Sequence, residues 1–364
     1  MYKEYLRRFI RFCKKTSVKV TGLVLAAVFV ASLFVFSDFY KTQAKKVLGF
    51  YHVYKGDQYY KKAKRQKAIE SYKRALELYP GHYKARYNLA NIYVAYEDFY
   101  SAVDSYEKAL EVKPNFQVAR IDYAVVLAEA LFNYDRAIEE YERAIHLTPK
   151  FVYIPFIINN KYTTKYNTGV AYYNLGLAWR GKSLLVGEHN FSSRKYLENA
   201  VEAYKNSLKI NKNYNGYYNL AIAYHLLREN ADAGLNYCKA IEREPMNYEA
   251  HYNLAILLKN MKNYKGAIDE FKKAGLILDV KGEGSKTRHI YDVLNEASKS
   301  MVQAGDYQYL VESLDDDNQV KEGQITYVRG KVVIARELDK AMVSNFKKCK
   351  SKAFFEGLKA GEDL

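Results

Sequence analysis

Six blocks of one design recur along the chain, and a recurrence of this kind restricts it to an array of similar units. They are AIESYKRALELYP (68–80), AVDSYEKALEVKP (102–114), AIEEYERAIHLTP (137–149), AVEAYKNSLKINK (200–212), AGLNYCKAIEREP (233–245) and AIDEFKKAGLILD (267–279). Each opens on Ala, carries an aromatic residue four places on and a small residue at seven, as in Ala68, Tyr72 and Ala75. Steps of four and three fall on one face of a helix. The small residues let a neighbouring helix come close and the aromatic fills the space beside them. Pro80, Pro114, Pro149 and Pro245 close four of the blocks, where a residue without an amide donor stops a helix.

A partner helix precedes most blocks: RYNLANIY (86–93), YYNLGLAW (172–179), YYNLAIAY (217–224) and HYNLAILL (251–258). The combination resembles the tetratricopeptide repeat (TPR) family. Its characteristic small, Ala, aromatic, small and Pro positions fall in the second unit on Ala90, Ala102, Tyr106, Ala109 and Pro114. The resemblance implies an all-α fold, a right-handed α-solenoid of about six TPR helix pairs. The solenoid spans 47–280, with repeats near 49–82, 83–116, 117–151, 169–213, 214–247 and 248–281.

The blocks are spaced by 34, 35, 63, 33 and 34 residues. The long spacing holds extra residues ahead of the fourth repeat (near 150–168) and others expected inside its turn (GKSLLVGEHNFSSRK, 181–195), while the third repeat has one additional residue near Phe132. Lys212 and Asp279 stand where a closing proline would, which loosens the register after them. Residues 282–314 read as a helix pair capping the last apolar face. Residues 318–364 read as a basic helical segment with Lys347, Lys348, Lys350 and Lys352 clustered.

Ahead of the array, Val20 to Phe36 (VTGLVLAAVFVASLFVF) carries no charge and is long enough, at the short limit, for one transmembrane helix. It has no polar stripe, as a core helix would, and Phe34, Val35, Phe36 continue where a cleavage site wants small residues, so an uncleaved signal anchor is expected. Residues 1–19 hold Lys3, Arg7, Arg8, Arg11, Lys14, Lys15 and Lys19 against Glu4 alone, whereas Lys41, Lys45 and Lys46 follow the segment. That asymmetry predicts a cytoplasmic N-terminal segment and a repeat region across the membrane, periplasmic in a bacterium, in a single-pass inner (cytoplasmic) membrane protein.

Formal net charge is +16. Past the N-terminal segment the excess is spread as lysines over helix faces, without an arginine-rich aromatic platform, so nucleic acid is not an expected partner. Cys13, Cys238 and Cys349 have no pairing spacing, which speaks against a disulfide framework or zinc site and makes Cys238 an inert core residue. GLAWRGKS (176–183) fits a P-loop pattern with Lys182 on a phosphate, but Gly176 holds the small position of a repeat helix and no strand precedes it. No catalytic, cofactor-binding or metal-ligating residue is assigned. The chain reads as a non-enzyme.

The resemblance also implies that the first helices line the concave side and meet ligands there. The candidates are Tyr87, Asn88, Asn91, Tyr173, Asn174, Tyr218, Asn219, Tyr252 and Asn253, with amides offered to an extended peptide, together with an apolar strip at Val118, Ile121, Val125 and Ala128. The family's carboxylate clamp is not reproduced: Val53, Asp57, Val118 and Asp122 occupy its positions. The insertion supplies Phe151, Tyr153, Phe156 and Ile157, either a plug for that strip or a docking patch for an apolar helix of a partner. The expected role is a membrane-anchored protein-binding scaffold, homo- or hetero-oligomeric. By architecture it resembles the anchored repeat proteins of the periplasmic flagellar collar of spirochaetes. The alternative is an assembly or quality-control adaptor for envelope proteins.

Overall fold

The computed structural model describes residues 37–147, 160–187, 190–282, 284–303 and 346–361. The segments at 1–19 and 20–36, and Phe151, Tyr153, Phe156 and Ile157 of the insertion, lie outside the described residues, as does the second helix of the expected cap. Every regular element among the described residues is helical, and none of those helices is long and apolar enough to cross a membrane. Two compact units divide the chain at Ala119/Arg120.

In the first unit α1 (Ser37–Lys61) pairs with α2 (Arg65–Leu78), and α3 (Tyr83–Ala95) with α4 (Phe99–Val112). The pairing follows the block design. Ala68, Ala75, Ala102 and Ala109 are fully buried, with Tyr72 and Tyr106 filling the gaps. Gly56 of α1 meets the Tyr72 ring so closely that an added Cβ would lie 2.5 Å from Cε1, which leaves no residue but glycine there. Side chains close the helix starts: Asp98 accepts from the Ser101 amide at 3.2 Å, and His82 Nδ1 from that of Ala85 at 3.3 Å.

The second unit continues the design through α5 (Gln117–Val125), which begins at the end of the first unit, α6 (Tyr134–Ile145), α7 (Asn160–Val186), α8 (Phe191–Ile210), α9 (Tyr214–Leu226), α10 (Asn230–Arg243), α11 (Tyr248–Asn260), α12 (Tyr264–Lys281), α13 (Gly284–Gln303) and α14 (Lys352–Ala360). Tyr141, Tyr204, Tyr237 and Phe271 are all buried at the aromatic position. The additional residue of the third repeat is absorbed by a π-helical turn, Val126–Ala130, in which the Leu131 amide donates to the Val126 carbonyl. Residues 181–186 and 191–195, expected inside a turn, are helical instead: the extra residues lengthen α7 and α8 rather than bulging between them. Without its proline α12 runs on to Lys281, whereas α8 still stops at Ile210, before Asn213 caps α9 by accepting from the Gly216 amide.

Turns between paired helices share one backbone device. Ala63, Glu97, Phe132, Arg228 and Lys262 all have positive φ, between 52° and 63°, and Gly187 takes that place after α7 with φ 84°. A left-handed residue reverses the chain within a short turn, at a cost to any side chain with a Cβ.

A buried ionic device recurs as well. Glu270 on α12 sits between His251 on α11, at 2.6 Å, and Lys273, at 2.6 Å, and the other ring nitrogen of His251 faces the Pro245 carbonyl at 3.0 Å. The matching glutamate of the third repeat, Glu140, pairs with Arg120 and, at 2.6 Å, with Arg143. Burial alone would raise the Glu270 carboxyl, but the hydrogen bonds and charges of His251 and Lys273 outweigh it and hold the group below the ordinary carboxylate range.

The cysteine reading is corrected by the structure. Cys238 and Cys349 form a disulfide, with Cα atoms 5.3 Å apart and 111 residues between them in sequence. Local spacing could not reveal it, because the partners meet only when α14 docks along α10. Phe355, fully buried, lies over Gly234, where an added Cβ would be 2.3 Å from the ring. Lys352 reaches Glu242 at 3.9 Å, Lys350 reaches Asp269 of α12 at 3.8 Å, and Lys359 bonds Asp232.

Candidate functional site

The tyrosines and asparagines of the first helices are brought together, though chiefly with one another. In the second unit Asn219 Nδ2 donates to Tyr173 Oη at 3.0 Å and to the Asn215 carbonyl at 3.0 Å, while its Oδ1 accepts from Arg180 at 2.8 Å. One repeat on, Asn253 Nδ2 donates to Tyr218 Oη at 2.7 Å. After another repeat Tyr252 Oη meets His289 Nε2 of α13 at 3.2 Å. The result is a ladder across α7, α9, α11 and α13, each amide tied to the phenol of the preceding repeat. Asn174 is half-buried on α7.

In the first unit the same residue types turn inward. Asn88 donates to Asp57 at 2.8 Å and to Tyr72 Oη at 3.3 Å, and Asp57 also accepts from Tyr72 at 2.6 Å. Burial, then the Asp57 carboxylate, pushes the Tyr72 phenol above its ordinary range. Asn91 accepts from the Tyr106 hydroxyl, and Tyr87 lies edge-on to Phe116 with ring centres 5.0 Å apart. Asn88, Asn91, Asn219 and Asn253, amides expected to meet a peptide backbone, thus hold helices together. Of the apolar strip, Ile121 and Ala128 are buried, and Val118 and Val125 are half-buried.

What the ladder leaves open is the phenol edge. Tyr218, Tyr248, Glu249, Tyr252, Lys286 and His289 line a cavity of 540 Å³ between α9, α11 and α13. It offers three aromatic rings, a cation and a histidine to a segment lying across the ladder. Burial, and behind it the charge of Glu249, pushes the Tyr218 phenol up to about 12, so this hydroxyl stays protonated and works as a hydrogen-bond group only. Sequence reasoning missed Arg180 and His289. Arg180 was within reach, since it lies seven residues after Tyr173 on one face of α7, but His289 lies outside the repeat register and carried no signal.

The P-loop-like residues lie within α7. Lys182 is engaged by the Asp135 carboxylate and by the ring of Tyr196, 4.6 Å away, while the hydroxyls of Ser183 and Ser193 bond at 2.7 Å. No amide cradle forms in a continuous helix, whose N–H groups are already bonded. No cluster of metal-ligating residues occurs among the described residues.

Comparison with known proteins agrees with the fold. Residues 49–82, 83–116 and 248–274 each match a family profile described as Tetratricopeptide repeat. The solved pilF protein of Pseudomonas aeruginosa aligns at 19% identity with a TM-score of 0.50, over 69% of this chain and 99% of that one. PilW, a type IV pilus biogenesis factor, aligns at 18% identity and TM-score 0.44, over 62% of this chain and 91% of that one. YrrB, a TPR protein with an unusual peptide-binding site, aligns at 16% identity and TM-score 0.42, over 62% and 99%. The likeness to pilF speaks for the fold. No curated protein matches the chain.

Proposed function

We propose that the chain is a non-enzymatic protein-binding scaffold, fixed by residues 20–36 to the inner membrane with its repeats on the periplasmic side, and that it holds partner segments along the phenol edge of the second unit. The cavity beside Tyr218 and Tyr252 carries this reading, since rigid amphipathic rings with a nearby cation suit an extended protein segment. Two features support the location. A disulfide between Cys238 and Cys349 belongs in an oxidising compartment. Phe39 and Tyr40, exposed at the start of α1 directly after the apolar segment, stand where interfacial aromatics anchor a span. An envelope assembly such as the flagellar collar, which the architecture resembles, is the setting proposed.

Replacing Tyr218 and Tyr252 together by Ala tests the groove: the partner should be lost from affinity-purified complexes while helix content holds. Partner retention at unchanged stoichiometry would refute the groove, and transient, substoichiometric clients in place of a fixed complex would favour an adaptor. A reporter fused after Leu364 should be active only outside the cytoplasm, and cytoplasmic activity would refute the topology. Lys182→Ala should leave any nucleotide hydrolysis by the preparation unchanged.

A further inference from the structure

On the side of the second unit formed by the second helices of each pair, α8 and α10 flank an open cleft of 690 Å³ whose floor is α9. Leu220 and Tyr224 of α9, with Leu208 of α8 beside them, make the bottom of the cleft apolar. The walls are not neutral. Glu198 and Glu229 are paired with Arg194, at 3.2 and 3.9 Å, and Asp232 with Lys359. Lys205, Lys209, Lys212 and Lys239 also line the cleft. Lys205 lies over the Tyr224 ring at 5.3 Å, Lys239 over Tyr217 at 5.8 Å, and Lys209 bonds the Asn206 side chain at 2.8 Å. Among the described residues none of the four has an ion pair with a carboxylate. Positive charge is therefore unbalanced at the end of the cleft where α8 and α10 finish.

The next groove along shows what this side of the stack takes. On the far side of α10, α14 lies antiparallel to it and reaches toward α12. It is seated by Phe355, with Phe354 and Leu358 packed beside it, and by lysines set against acidic side chains of α10 and α12. The α8–α10 cleft has the same kind of walls, an apolar floor and the opposite surplus of charge. A second copy's α14 would bring Lys352 and Lys359 against lysines, which disfavours it.

We propose that the cleft between α8 and α10 docks an acidic amphipathic helix of a partner protein, apolar face on Leu208, Leu220 and Tyr224 and carboxylates on Lys205, Lys209, Lys212 and Lys239. In the antiparallel orientation of α14 the incoming N-terminal turn meets the lysines, where acidic residues are also favoured by the helix dipole. The occupied surface is separate from the tyrosine ladder, so one chain holds two partners at once.

The test uses the full chain in lipid nanodiscs and a labelled synthetic helical peptide, about three turns long, with Glu on one face and Leu and Phe on the other. Fluorescence anisotropy should show saturable binding that weakens as salt rises, and no binding of the same peptide with Lys for Glu. Lys205→Glu, Lys212→Glu and Lys239→Glu combined should weaken binding at least tenfold at unchanged circular dichroism. Equal binding of both peptides, or an unchanged affinity in the triple variant, overturns the proposal. If the triple variant unfolds, a photoreactive peptide on the unaltered chain decides: crosslinks within 198–239 support the cleft and crosslinks elsewhere refute it. Phosphatidylglycerol vesicles that bind through these lysines while the Glu peptide does not would identify a lipid surface and also refute it.

Discussion

Glycine 234 interrupts a regularity that the other blocks keep: the residue after the opening alanine is Ile69, Val103, Ile138, Val201 and Ile268 elsewhere. The missing side chain is the socket for Phe355. Gly234→Val restores the regular residue and should expel the ring, losing about 1.5–3 kcal/mol of burial, seen as faster amide hydrogen exchange across 352–360. The exception was in the sequence, but its meaning was not, since its partner is 121 residues away by number (355 less 234). The Ala and aromatic positions were legible because helical periodicity is a local property. Ala109→Leu at a fully buried contact should cost about 1–3 kcal/mol, and an unchanged melting temperature would contradict this register. Glu270 gives a pH dependence. Its folded carboxyl lies below the unfolded value of 4.5, so its stabilisation is complete above that pH and is lost as pH falls through the folded value. His82 and His225, pushed down by burial, add a loss of the same sign as pH falls below 6.5. Glu270→Gln leaves His251 and Lys273 buried against a neutral group, should cost about 3–5 kcal/mol at neutral pH, and should flatten the acid limb of melting temperature against pH.

Helix ends were legible where prolines stand, and the stretch that departed from expectation, 181–195, has none. Extra residues without a Gly or Pro cluster joined the flanking helices, which is why α7 reaches 27 residues and swallows the P-loop-like stretch. The tyrosine–asparagine ladder was half legible: the residues were identified, but an amide's choice between a peptide and the preceding repeat's phenol depends on a distance across the stack. Turns offer a cleaner prediction. Phe132 and Lys262 hold left-handed backbone with side chains that disfavour it, so either residue changed to Gly should raise stability by about 0.5–1 kcal/mol, read by chemical denaturation. Gly187→Ala at the matching turn should lower it.

The chain divides into two compact units, and only the second contains the disulfide and Trp179, the single tryptophan. Trp179 stacks on Tyr196 with ring centres 5.5 Å apart, so its fluorescence follows that unit alone. A link across 111 residues restrains the unfolded chain by up to about 4.7 kcal/mol on a chain-entropy view. Reduction should therefore lower the midpoint read by tryptophan fluorescence, and Cys349→Ser should mimic it. The same link alters what a protease does to the molecule. A single cut at any peptide bond between Cys238 and Cys349 leaves both products covalently joined, so nicked protein migrates as one species on a non-reducing gel and separates only after thiol treatment. Cleavage there converts one continuous polypeptide into a two-chain molecule without shedding either part.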